Sequence, residues 1–218
     1  MTFHIEMFKV SNGRINNQCY LVYLNGKGIL IDPAWDFQLI NRFITINNIE
    51  LIGVLLTHSH EDHIDLAQRF TEEYNCQAYM SSIEIDFYEV QITNLKPVFH
   101  LEQLIIDEFC FTPILTPGHT VGSTCYLLNN NLFSGDTFFI EGVGICNTKG
   151  GDVNKLFDSV QFIKDYLGPS TKFWPGHTFG IEAGQDLYYL LENNIYFMLT
   201  NRNHFTQLRM RKRKKFSS

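Results

Sequence analysis

The sequence lacks several features that would place it in other classes. No run of about 18 apolar residues occurs, so no membrane-spanning helix is indicated. The start, Met1-Thr2-Phe3-His4-Ile5-Glu6, has neither the basic nor the apolar region of a secretory signal. The five cysteines, at 19, 76, 110, 125 and 146, are odd in number and scattered, with no C-x-x-C pair. That excludes a disulfide framework, points to a reducing cytoplasm, and makes each cysteine a small core residue. The body also lacks positive charge. From Arg202 to Ser218 there are seven Lys or Arg and no acid, while the remainder carries ten basic and 23 acidic groups. A body of net charge −13 has no general attraction for nucleic acid; only the +7 tail does. The division expected is a domain at 1–201 and a basic C-terminal tail at 202–218.

What is present is concentrated at Thr57-His58-Ser59-His60-Glu61-Asp62-His63. Three histidines and an aspartate fall within six residues, as H-x-H-x-D-H. Leu51–Leu56 before them is a short apolar run that reads as a buried parallel strand. Ile64, Leu66, Ala67 and Phe70 after them recur at helical spacing and predict one helix reaching about Tyr74. The cluster therefore sits on a strand-to-helix turn, beyond a strand's carboxyl end, where open α/β folds present functional groups. Four N/O groups in such a turn suit Zn²⁺, Fe or Mn.

The rest of the chain alternates short strands and helices. Residues 3–10 form a first strand, and Cys19–Leu24 and Gly28–Asp32 pair around Asn25-Gly26, a strong hairpin signal. A helix carries Phe37, Ile40, Phe43 and Ile44. Gln77–Met80 is a strand, and Ser81-Ser82 caps a helix through Tyr88. Phe109–Leu115 is a strand, Thr124–Leu128 and Asn131–Ser134 are a hairpin, and a Gly-rich loop runs from Gly142 to Gly151. Asp152 caps a helix through Val153, Leu156, Phe157, Val160 and Ile163. Thr171–Trp174 is a strand, and two helical patterns follow, Ile181 to about Asn193 and Ile195 onward. Strand-strand-helix in both halves predicts one α/β domain with two packed sheets and outer helices.

Three further polar residues end apolar strands: His119 in T-P-G-H-T, Asp136 in S-G-D-T and His177 in P-G-H-T. A preceding glycine lets the chain turn sharply and project the next side chain past the sheet. With the first cluster they make seven candidate ligands, too many for one tetrahedral zinc and suited to two metals with one ligand shared. A carboxylate bridges readily and an imidazole does not, so the expected bridge is Asp136. Two metals roughly 3.5–4 Å apart can hold a hydroxide and make it a nucleophile near pH 7. Hydrolysis without a serine or cysteine nucleophile follows.

H-x-H-x-D-H, then G-H-T, G-D-T and a final G-H, resembles the metallo-β-lactamase superfamily and most closely its glyoxalase-II-like hydrolases, over about residues 3–180. The resemblance implies a four-layer αββα sandwich with the site at one edge. It implies one metal on His58, His60 and His119, a second on Asp62, His63 and His177, and Asp136 bridging, the metals being zinc, iron or manganese. Small enzymes of this kind commonly read G-R-T-D-x-x-G-G-D after G-D-T. Here Ile145 stands at the basic position and Asn147 at the acidic one, both candidate substrate contacts. A glycine carboxylate of glutathione would lose a charged partner there, worth roughly 1.5–3 kcal/mol. The chain is also similar to stand-alone glyoxalase-II-like hydrolases found with bacterial polyketide synthase clusters, through Ser11–Asn17 and Gly142–Gly151. That favours a thioester of phosphopantetheine, on coenzyme A or an acyl carrier protein, with Arg209–Lys215 meeting the carrier's negative surface.

In the expected reaction a thioester carbonyl is attacked, and the departing thiolate, of pKa near 8.5, needs no acid. Asp62 either orients the nucleophile or takes its proton. Asp32 either supports a metal histidine from behind or caps the turn at Pro33. Glutathione thioester hydrolysis and lactone hydrolysis are rival activities. A non-catalytic carrier-protein or nucleic-acid-binding module is the rival outside enzymes, and seven intact ligands speak against it.

Overall fold

The structure, a computed structural model, describes residues 3–211. Thirteen strands and eight helices follow in the order β1 His4–Ser11, β2 Asn16–Leu24, β3 Lys27–Ile31, α1 Phe37–Ile46, β4 Glu50–Leu55, α2 Glu61–Ile64, α3 Ala67–Glu73, β5 Gln77–Ser81, α4 Ser82–Tyr88, β6 Leu95–Val98, β7 Leu104–Ile106, β8 Phe109–Leu115, β9 Thr124–Leu128, β10 Asn131–Gly135, β11 Phe138–Phe139, β12 Gly142–Val143, α5 Val153–Tyr166, β13 Lys172–Pro175, α6 Leu187–Asn193, α7 Ile195–Met198 and α8 Arg202–Arg209. One sheet has six strands in the order β1-β2-β3-β4-β5-β6, antiparallel to β3 and parallel beyond it. A second runs β13-β10-β9-β8-β7, with only β10 and β13 parallel, and β11 and β12 pair as a separate two-stranded sheet.

The four layers follow from the period-2 alternation of the strands. On β2, Cys19 and Leu21 face one way and pack with Phe37, Ile40 and Phe70 of α1 and α3. Tyr20 and Val22 face the other way and meet Phe111, Tyr126 and Phe133 of the second sheet. On β10, Leu132 points out to Leu156, Val160 and Phe205 of α5 and α8. Three apolar clusters therefore fill the three interfaces of an αββα sandwich. The expected turn at Asn25-Gly26 is present, with both residues at positive φ, as a two-residue hairpin requires. Asp36, Ser81 and Asp152 each cap their helix through the side chain.

The structure differs from the sequence reading in several places. The helix expected from the metal turn to Tyr74 is two, broken at Asp65-Leu66. There the Asp65 carboxylate accepts from Trp35 N at 2.9 Å and Leu66 N donates to Pro33 O, so the break is tied to the turn after β3. The helix expected from Ile181 starts at Leu187, where Asp186 caps it. Edge strands β6 and β7 were not foreseen. Cys110 is exposed rather than a core residue, whereas the other four cysteines are buried; all five are free. The segment expected to leave the domain at 202 continues as α8, whose Phe205 is wholly buried against Phe157 and Tyr196. Arg202 pairs with Asp158 and stacks on Phe157. The basic residues from Lys212 to Lys215 lie outside the described residues. No helix among the described residues is long and apolar enough to cross a membrane.

Candidate metal centre

All the singled-out polar residues lie beyond the carboxyl ends of strands. His58 and His60 follow β4 and His63 is on α2; Asp32 follows β3, His119 follows β8, Asp136 follows β10 and His177 follows β13. The last three come from the second sheet and the others from the first. Two glycines show why the sequence carries them. Gly135 has φ +48°, and a Cβ on it would lie 2.2 Å from Thr57 Oγ1. Gly176 has no such φ, but a Cβ there would stand 2.4 Å from His63 Cε1 and 2.7 Å from Asp136 Oδ1.

Two groups of donors form. His119 Nε2 lies 3.3 Å from His58 Nε2 and 3.0 Å from His60 Nδ1. His177 Nε2 lies 3.4 Å from Asp62 Oδ2, and His63 Nε2 lies 3.8 Å from the same oxygen. Asp136 stands between the groups. Its Oδ2 is 3.7 Å from His119 Nε2 and 3.2 Å from His177 Nε2, and its Oδ1 is 3.3 Å from His63 Nε2.

The outer nitrogens of four rings are fixed from behind, which sets their tautomers. His119 Nδ1–H donates to Ile145 O at 2.6 Å, and His177 Nδ1–H to Asn16 O at 2.7 Å. His63 Nδ1–H donates to Asp32 Oδ2 at 2.9 Å. Thr57 Oγ1 donates to Asp32 Oδ2 at 2.6 Å and so accepts from His58 Nδ1–H at 3.0 Å. Each Nε2 is thereby left free and turned inward. Asp32 also accepts Thr57 N at 2.8 Å, so although it lies near His58 and His63 both its oxygens are engaged outside the donor groups. Of the two roles open to Asp32, support of a histidine is the one it has.

Electrostatics divide the site in two. Burial, with neighbouring histidines adding to it, holds His58 well below the ordinary histidine value, and burial takes His119 down to about 4. These rings are neutral at pH 7, as ligation requires. In the other group burial is outweighed by carboxylates: Asp136 and Asp32 hold His63 well above its ordinary value, and Asp136 and Asp62 raise His177 to about 10. Asp136 in turn is held well below the carboxylate range, its burial outweighed by His63 and His177. The fit to cations has a direct sign. His63 Nε2 and Asp136 Oδ1 are buried and face each other at 3.3 Å without forming a hydrogen bond to each other or to any other group, an expensive state for polar atoms unless an ion meets them. Two sets, His58-His60-His119 and Asp62-His63-His177, can each hold one metal.

The loop after Asp136 is gripped through its carbonyls. Ile145 O takes His119, Gly144 O takes Arg209 Nε at 2.7 Å, and Lys149 O takes Tyr88 Oη at 2.5 Å. The Ile145 side chain is about half exposed and that of Asn147 is exposed, so the contribution of Ile145 to the centre is its backbone. Apolar groups stand near the centre at positions that the ligand motifs do not mark. Phe139 and Phe179 pack on each other beside His177, and Ile15 and Trp35 line a hollow with Asp62. The available signal was position: Phe179 follows His177 by two residues. A larger hollow of about 920 Å³ lies against α4 and contains none of the seven donors.

Comparison with known proteins bears on the family and the fold. The profile of the Metallo-beta-lactamase superfamily matches residues 12–177. The chain is 39% identical over 216 residues to the probable polyketide biosynthesis zinc-dependent hydrolase BaeB of Bacillus velezensis, covering 98% of this chain and 96% of that one. It is 31% identical over 173 residues to the hydroxyacylglutathione hydrolase of Francisella philomiragia, covering 77% and 65%. Among solved structures, a metallo-beta-lactamase from Staphylococcus aureus shares the fold at a TM-score of 0.84 and 22% identity, over 98% of this chain and 68% of that one.

Proposed function

We propose that this chain, which belongs to the metallo-beta-lactamase superfamily, is a hydrolase of acyl thioesters that works with two divalent metal ions, zinc first among them. The observation that carries the reading is the convergence of seven donors around the unpartnered His63 Nε2 and Asp136 Oδ1. His58, His60 and His119 would hold one ion, Asp62, His63 and His177 the other, and Asp136 both. Ions bound there supply Lewis acidity to a carbonyl oxygen and an activated water at neutral pH.

The chain's own residues do the rest. Asp32, Ile145 O and Asn16 O keep three imidazoles in the tautomer that ligates. Asn17, nearly buried, donates its side-chain amide to the Asp62 carbonyl and so fixes the Asp62 backbone. The Asp62 side chain is 20% exposed, the most open of the donor carboxylates, and its Oδ2 faces His177. His177 lowers its pKa against the effect of burial, so Asp62 is ionised at pH 7, and a carboxylate there can orient the attacking water or receive its proton. Ile15 and Trp35 beside this carboxylate, and Phe179 beside His177, give an acyl chain an apolar surface.

The carrier is phosphopantetheine, on coenzyme A or an acyl carrier protein. Ile145 and Asn147 offer a glutathione carboxylate no charge, and two relatives matched over 96% of their own length are named as probable polyketide biosynthesis hydrolases. Arg209, Arg211 and Lys212–Lys215 would meet an acidic carrier surface. Five unpaired cysteines fit a cytoplasmic setting. The test compares kcat/KM for acyl-coenzyme A, acyl-carrier protein, S-lactoylglutathione and a homoserine lactone. Carrier thioesters should lead. A lactone or glutathione substrate faster by orders of magnitude would overturn the assignment. Lys212→Glu with Lys214→Glu should raise KM for the carrier protein and leave kcat intact.

A further inference from the structure

Besides Asp32, a second buried carboxylate stands outside the donor set. Glu84, on the first turn of α4, is wholly buried. Its sequence context, Ser81-Ser82-Ile83-Glu84, is that of a capping box, in which the glutamate returns to the backbone N–H of the capping serine. Half of that motif is made, since Ser81 Oγ accepts from Glu84 N at 3.1 Å. The glutamate itself goes elsewhere. Its Oε1 accepts from Ser59 N at 2.9 Å and Ser59 Oγ at 2.7 Å. Its Oε2 accepts from Thr120 Oγ1 at 2.9 Å and Gly122 N at 2.8 Å. Ser59 separates His58 from His60, and Thr120 follows His119. A single carboxylate thus ties together the two loops, one from each sheet, that supply the three-histidine group.

We infer that Glu84 is a positioning residue for the metal of that group, setting the spacing of the His58–His60 and His119 loops and adding a negative charge behind a cation site. The inference rests on the reading of those three histidines as metal ligands. Four donors satisfy a buried charge that helix capping alone would not require. The two oxygens each face one backbone N–H, those of Ser59 and Gly122. An amide has a single acceptor oxygen, so a glutamine here must turn its NH₂ against one of those N–H groups. The site therefore selects glutamate over its isostere.

The experiment is zinc competition against a chromogenic chelator, with thermal unfolding alongside, on the full chain and on Glu84→Gln. In the unsubstituted protein two binding steps are expected. Glu84→Gln should weaken one of them by about 10–100-fold and leave the other in place, as for other groups that orient metal ligands. The zinc-dependent gain in melting temperature should shrink by the matching share. A glutamate that serves folding alone would lower the melting temperature equally with and without zinc; that result, or two unchanged steps, overturns the inference. Should Glu84→Gln not fold, Ser59→Ala with Thr120→Val removes one side-chain donor from each oxygen, and the same step should weaken several-fold; no change there overturns it equally. An unsubstituted chain that takes up no zinc would remove the metal reading itself, a failure distinct from two zinc steps that ignore Glu84.

Discussion

Asp32 shows how much a single residue holds at this centre. Its two oxygens take Thr57 N, Thr57 Oγ1 and His63 Nδ1, all buried, on a backbone at φ +50° that aspartate tolerates better than alanine. Asp32→Ala should cost about 2–4 kcal/mol in urea unfolding, from orphaned donors and the lost αL preference, and should weaken zinc binding by about 10–100-fold. The histidines on the other side of the centre carry a pH signature. In the metal-free protein His63 and His177 have folded pKa values raised above the unfolded value of about 6.5, to about 10 for His177. Their contribution to stability is complete below pH 6.5 and is lost as pH rises toward 10. Metal ligation needs the neutral rings, so zinc affinity should rise across that same window, and loading at pH 7 should release protons, measurable with an indicator in weak buffer. Melting temperatures with and without zinc should therefore diverge from pH 6.5 to 9; parallel curves would contradict the assignment of His177 as a ligand. The histidine cluster is legible in sequence because its members adjoin one another. Glu84 is not, because Ser-x-x-Glu already has an ordinary explanation, and neither is Ile145, whose contribution is a carbonyl that residue type does not reveal.

Among the elements, the central strands declare themselves. Cys19–Val22, Gly28–Ile31 and the pair Leu132-Phe133 are apolar, bounded by turn residues and buried on both faces. The edges do not. Leu95-Lys96-Pro97-Val98 carries a lysine and a proline, protective features of an edge strand that erase its periodicity. The break between α2 and α3 was hidden because it depends on Pro33 and Trp35, some 30 positions away. Helix α8 was hidden by composition: its basic residues suggested a tail, while the one residue it buries completely is Phe205. Phe205→Ala should cost about 3–5 kcal/mol in chemical denaturation, as for other buried phenylalanines. Arg209→Ala frees Gly144 O, one residue from the carbonyl that holds His119. It should reduce kcat several-fold at unchanged stability within about 1 kcal/mol. A larger stability loss from Arg209→Ala than from Phe205→Ala would mean that the helix is held by its charges and not by its core contact.

At the scale of the molecule, the proposed ligand sets cross the sandwich. His58 and His60 come from the first sheet and His119 from the second; Asp62 and His63 come from the first and His177 from the second. Each bound ion would therefore pin the two sheets together at one edge, adding to the apolar cluster of Tyr20, Phe111, Tyr126 and Phe133 between them. The consequence is a global stabilisation and not a local one, because separating the sheets breaks both ligand sets. At a free zinc concentration of about 100 times Kd, each site contributes about 2.7 kcal/mol. A domain of this size gains roughly 2–4 °C per kcal/mol, so two sites give a rise of about 11–22 °C in calorimetry against a chelated sample. Half of that rise should be in place when only one set is filled, which His119→Ala and His177→Ala would each produce. An ion held by residues of one sheet alone would stabilise its own turn and leave the global transition nearly where it was. A single cooperative transition that moves up with each equivalent of zinc and stops at two is the behaviour that this crossing of ligands between sheets requires.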